Sequence, residues 1–148
     1  MRNLKSILAV FILLFAASFS FTQENLESKG FTIQSYLGMY MENGEVMSYD
    51  ANEVYNISLS DGYLIHNIFK DNVISDSQLY KISNIKRTTE KEENKFAFDA
   101  TSGLSGNVYH YEVYFGKEGS VTLNLTQPNG DATVFLATSA ILKTFKQK

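Results

Sequence analysis

Strict alternation of apolar and polar residues is the feature of this chain that most restricts its fold. In Ser120-Val121-Thr122-Leu123-Asn124-Leu125-Thr126, the three apolar side chains point one way and the four polar ones the other. Glu53-Val54-Tyr55-Asn56-Ile57-Ser58-Leu59 repeats the pattern with Tyr55, Ile57 and Leu59 inward, and Phe96, Phe98 and Ala100 form another such row. Between Val108 and Phe115, Tyr109, Tyr111, Val113 and Phe115 share a face opposite Val108, His110, Glu112 and Tyr114. A helix would repeat its apolar residues every three or four positions. A period of two belongs to strands that bury one face only, which is the habit of antiparallel sheets.

The turn residues agree. Asn43-Gly44, Asp61-Gly62 and Asn129-Gly130 are dipeptides that accept the positive φ of tight hairpins. Asp71-Asn72, the Gly103–Gly106 stretch and Gly116-Lys117-Glu118-Gly119 are further turn candidates. Strands are predicted near 31–41, 52–60, 62–70, 78–87, 95–101, 107–116, 119–127 and 131–138. Residues 139–146 suit either a last strand or a short helix. The expected fold is all-β: an antiparallel meander of about eight strands, closed as a small barrel or folded as a two-sheet sandwich.

Ahead of it stands a different kind of segment. Arg2 and Lys5 precede an unbroken apolar run from Ile7 to Phe15, and the small residues Ala16, Ala17, Ser18 and Ser20 follow. That order is an export leader, a signal helix cleaved after Ser18 or Ser20. The apolar stretch to Phe21 is shorter than the roughly 20 residues that span a bilayer. Residues 1–20 are therefore read as the leader and 21–148 as one β domain, exported to the periplasm or beyond and not held in a membrane after cleavage. The polar lead-in from Gln23 to Gly30 leaves room for one helical turn at most.

Composition narrows the chemistry. With no Cys in 148 residues, disulfides, thiolate metal sites and a cysteine nucleophile are excluded. A formal charge of −3 gives no pull toward nucleic acid, and removal of Arg2 and Lys5 makes it more negative. The sequence has no phosphate-binding glycine loop, and Gly103-Leu104-Ser105-Gly106-Asn107 has its second glycine one place early for a nucleophile elbow. His110 and Glu112 lie two apart on one strand face, but two ligands do not make a metal site. His66, between Leu64 and Ile68, reads as a half-buried structural residue. The mixed-charge run from Lys86 to Lys95 reads as a solvated hairpin tip. The sequons at Asn56 and Asn124 fall inside predicted strands. No catalytic residue, metal or cofactor is assigned, and the chain is expected not to be an enzyme.

The compositional oddity is nine tyrosines. Tyr55, Tyr109 and Tyr111 fall on inward faces, where each ring fills space and each hydroxyl needs a partner. They are the candidate lining of a cavity for a small amphipathic ligand. Tyr36 and Tyr40 are assigned to the outer face of the first strand with Thr32 and Gln34, free to stack on a partner. Lipocalin-like and fatty-acid-binding barrels are of this size, but a chain without Trp lacks the glycine–tryptophan signature of lipocalins, and no motif names a family. Two readings follow: a binding or interaction module of the bacterial cell envelope whose partner is an unknown protein, or a carrier of an amphipathic ligand. Expressed in a bacterial host, the protein should be recovered outside the cytoplasm shortened by roughly 18–23 residues. Mass spectrometry that finds Met1 on the exported species would contradict the leader.

Overall fold

Eight strands form, and each is bounded by residues that can turn. The computed structural model describes residues 30–90, 93–116 and 120–143. The leader, the lead-in up to residue 29, residues 91–92 of the charged run, the 117–119 tip and residues 144–148 lie outside the described residues. The strands are β1 (Gly30–Glu42), β2 (Glu45–Ser58), β3 (Tyr63–Lys70), β4 (Val73–Glu90), β5 (Glu93–Ser102), β6 (Val108–Phe115), β7 (Val121–Thr126) and β8 (Ala132–Lys143). Each pairs antiparallel with the next, and β8 pairs with β1 from Gly30↔Lys143 to Tyr40↔Thr133. The sheet is therefore a closed up-and-down barrel rather than a sandwich, and closure pairs the edges an open sheet would expose.

Two strands start earlier than the sequence pattern places them. β2 begins at Glu45 instead of 52, and β4 at Val73 instead of 78. In both places a two-residue turn with both residues at positive φ connects the strands directly: Asn43 (φ 52) with Gly44 (φ 84), and Asp71 (φ 53) with Asn72 (φ 62). Such turns match the right-handed twist of the strands they join, so pairing starts at the adjacent residue. Residues 139–143, left open between strand and helix, continue β8.

Alternation delivers the interior. Phe31 and Ile33 of β1, Tyr55 and Ile57 of β2, Leu64 of β3, Phe96 and Phe98 of β5, Tyr111 and Val113 of β6 and Leu123 of β7 are all fully buried. The rings contact one another directly. Phe98 stacks on Tyr111 (centroids 5.5 Å, interplanar angle 8°), Phe31 meets Phe115 edge-on at 5.4 Å, and Phe96 meets Phe115 at 6.0 Å. Edge-on and offset contacts at these separations add about 0.5–1.5 kcal/mol each to the burial of the rings.

A bulge corrects one predicted face. The registers of β1 with β2 and with β8 both shift between Ser35 and Leu37, so the alternation slips by one residue at Tyr36. Ser35 and Gly38 both lie buried on the inner face. Tyr40 therefore follows Gly38 on the inner-facing side, with its ring 6.2 Å from that of Tyr49, while Tyr36 stays exposed. Tyr36 and Tyr40 do not share the outer face.

The interior yields a graded expectation. Phe98→Ala and Tyr111→Ala should each lose about 3–5 kcal/mol, because each removes half of a stacked pair from a filled centre. Tyr109, only partly buried at the start of β6, should lose less. Denaturant unfolding of the three variants checks the order, and a Tyr109 loss equal to the other two would contradict it.

Candidate functional site

The most unusual residue of the interior is a carboxylate. Glu53 lies on the inner face of β2, 7% exposed, two residues before Tyr55. The Tyr55 hydroxyl donates to Glu53 Oε2 at 2.6 Å, and His66 Nε2, from β3, lies 2.8 Å from the same oxygen. Tyr49 donates to Oε1 at a longer 3.4 Å. The rings of Tyr55 and His66 stack at 4.3 Å with an interplanar angle of 12°, as their paired positions in the ladder require. Burial pushes the Glu53 carboxyl up, but the bonds from His66 and Tyr55, the His66 charge and the Tyr49 bond outweigh it and hold the group below its ordinary 4.5. The tyrosines move the other way. Burial, reinforced by the Glu53 charge, pushes Tyr49 up to about 12 and Tyr55 well above its usual value. They remain neutral donors throughout the physiological range.

This cluster fixes the root of a projecting hairpin. Ser35 Oγ of β1 donates to the Glu53 carbonyl at 3.2 Å. The Tyr49 ring lies over Gly38 on the neighbouring strand, where a Cβ would collide with it, and meets Phe135 edge-on at 6.4 Å. Beyond this root the β1–β2 hairpin changes character. Glu45 to Asp50 are exposed without interruption, and so are Tyr40, Met41 and Glu42 opposite them. Met41 is 63% and Val46 68% exposed, and Tyr40, Met47 and Tyr49 are also open. Alternating burial has stopped, although the strands continue. Five large apolar side chains, Tyr40, Met41, Val46, Met47 and Tyr49, are thus grouped on one exposed element.

Of the three predicted tyrosines, Tyr55 and Tyr111 are in contact, and Tyr109 is linked to Tyr111 through Tyr80. Tyr55 and Tyr111 are both 0% exposed and meet edge-on at 6.4 Å, while Tyr109 packs edge-on against Tyr80 at 5.6 Å. The Tyr80 ring meets that of Tyr111 edge-on at 6.4 Å, and the Tyr80 hydroxyl donates to Gln78 Oε1 at 2.6 Å. The hydroxyls of Tyr55 and Tyr80 each have a protein partner, and all three rings pack against aromatic neighbours inside the barrel.

On the outside, His110 and Glu112 share a face as expected, with His110 Nε2 4.0 Å from Glu112 Oε1, and each has a closer partner. His110 Nδ1 lies 2.8 Å from Asp99 Oδ1, Asn84 donates to Asp99 Oδ2 at 2.7 Å, and Lys95 pairs with Glu112. The Asn84 and His110 bonds hold Asp99 below its usual value, and Lys95 does the same for Glu112. Among the described residues no group of three or more His, Asp or Glu side chains is placed to hold a metal ion.

Sequence reading passed over Glu53 and the distal hairpin. The parity that sends Tyr55 and Ile57 inward sends Glu53 inward too, and a carboxylate at an inward position was the available signal. For the hairpin it was Asn43-Gly44 with strand-compatible residues on both sides. No protein-family model matches the chain, and no curated protein matches it.

Glu53 makes stability depend on acid. Its folded value lies below its unfolded one, so its contribution is complete above about pH 4.5 and is lost as pH falls through the folded value. Glu53→Gln should lose about 1–3 kcal/mol at neutral pH and show a smaller further loss on acidification than the parent. Urea unfolding between neutral and acid pH measures both, and parallel curves for the two proteins would contradict the assignment.

Proposed function

We propose that this chain is an exported, non-enzymatic binding module of the bacterial cell envelope that engages another protein through the distal half of its β1–β2 hairpin. The observation that carries this reading is the uninterrupted exposure of Glu45–Asp50, with Tyr40, Met41, Val46, Met47 and Tyr49 grouped on the same element. A strand whose every residue is open, rooted on a buried carboxylate cluster, is a rigid presentation of apolar side chains to a partner. The polar exterior supports a life in water. Lys95, Asp99, His110 and Glu112 occupy outward positions of β5 and β6, where a membrane-spanning barrel would carry an apolar band.

The second reading is a carrier of an amphipathic ligand, supported by the closed eight-stranded barrel and by the meeting of Tyr55 and Tyr111 inside it. It ranks below the first because both tyrosines are wholly enclosed, so a ligand would have to displace them. Photo-crosslinking in the producing cell separates the two. A photoreactive residue at Met41 or Val46 should give a discrete protein adduct, while the same residue at Leu79 or Val108, exposed apolar positions elsewhere, should not. Equal adducts from all four positions would overturn the hairpin reading. So would an absence of adducts together with saturable uptake of a fluorescent fatty acid by the purified domain.

A further inference from the structure

The backbone of the hairpin adds information that its side chains do not. Asn43-Gly44 is a two-residue turn with both φ positive, so the flanking pair Glu42↔Glu45 exchanges both ladder hydrogen bonds. Antiparallel ladders alternate, and the next such pairs are Tyr40↔Met47 and Gly38↔Tyr49. Glu45, Met47 and Tyr49 thus direct their N–H and C=O groups at β1. Val46, Ser48 and Asp50 direct theirs at the opposite edge of β2. On that edge, among the described residues, β2 pairs with β3 only from Glu53 to Ser58. The barrel is closed around its middle and open along the distal half of β2.

Resting on the reading of the hairpin as an interaction surface, we infer that the partner adds to the free edge of β2 as an extended strand, pairing with Val46, Ser48 and Asp50, and that this strand interleaves apolar residues with Lys or Arg. The edge is a repeating row of unused donors and acceptors, the feature by which sheets recruit a further strand. Selectivity comes from the side chains beside it. Met47 and Tyr49 lie on one face and Val46 on the other, so a strand alongside meets apolar contacts on both faces. From Met39 to Asn52 the charged residues are Glu42, Glu45 and Asp50, with no Lys or Arg. Around its turn, from Phe69 to Gln78, the neighbouring β3–β4 hairpin adds Asp71 and Asp76 against one cation, Lys70. A second copy of this chain would bring the same negative charge to both sides of the pairing, whereas a basic strand neutralises it.

Two display libraries of segments of about ten residues, long enough to run along this edge at roughly 3.4 Å per residue, provide the probe. One mixes Val, Ile and Tyr with Lys and Arg, and the other replaces the basic residues with Asp and Glu. Both are selected on the barrel, on Ser48→Pro, and on a Val46→Ser/Met47→Ser double variant. Proline is tolerated on an edge strand where its missing N–H faces outward, so Ser48→Pro should keep the fold, which near-ultraviolet circular dichroism checks. Val46→Pro, one outward position nearer the turn, serves if Ser48→Pro does not fold. Segments from the basic library should be retained, and the affinity of the best should fall at least about tenfold on Ser48→Pro. Retention that survives the proline but is lost on the serine double variant would overturn strand addition while leaving the hairpin as the interaction surface. Retention indifferent to both variants would overturn both. Preference for the acidic library, failure to retain any segment, or a wild-type dimer in sedimentation equilibrium that the proline dissociates would each overturn the basic partner strand.

Discussion

Everything in this molecule is arranged around a cluster of buried aromatic rings in contact. Eight strands enclose a space just wide enough for side chains or one small ligand, and the same barrel serves either purpose depending on what points inward. Here Phe31, Phe96, Phe98, Tyr55 and Tyr111 point inward, and their rings touch. A packed centre of this kind turns the barrel into a rigid stand. The regular burial pattern that builds it also shows where that pattern breaks.

It breaks most sharply above Glu53. An ionised carboxylate inside a protein is tolerated only when neighbouring donors replace its lost water, and Tyr55 and His66 do so at hydrogen-bond distance. The arrangement ties β2 to β3 through His66 and, by way of Ser35 and Tyr49, holds the β1–β2 hairpin at its base. Beyond it, among the described residues, no third strand supports the hairpin on the β2 side. The polar anchor and the exposed apolar segment are therefore two halves of one device: the first fixes the direction in which the second projects.

The sequence made the antiparallel sheet readable because its inward rows are nearly free of exceptions. Phe96-Ala97-Phe98-Asp99-Ala100 and Val121-Thr122-Leu123 settle which face is buried without reference to any other strand. What the sequence hid has two physical causes. A bulge is a backbone event with no fixed residue signature, and at Tyr36 it reverses the parity of all that follows on β1; Tyr40 changed faces for this reason. The distal part of β2 is the second case. Alternation arises from burial of one face, so a strand that buries neither face loses the signal while remaining a strand. Glu45 to Asp50 fall outside the predicted strands for the same reason that they are of interest. Barrel against sandwich was undecidable because closure is a matter of which strands meet at the end of the meander, and a local period carries no such information.

That closure has a consequence for how the protein comes into being. β1 and β8 stand at opposite ends of the described chain, yet their ladder runs from Gly30↔Lys143 to Tyr40↔Thr133. The hairpins between them form from neighbours in sequence and need little chain search, but the final ladder joins residues about as far apart as the domain allows. Until β8 has been made and delivered, β1 presents an unpaired edge and the aromatic rings beneath it lie open to water. Until then the chain is an unfinished sheet, sticky along one side. The last strand to arrive thus decides whether this chain becomes a barrel or an aggregate.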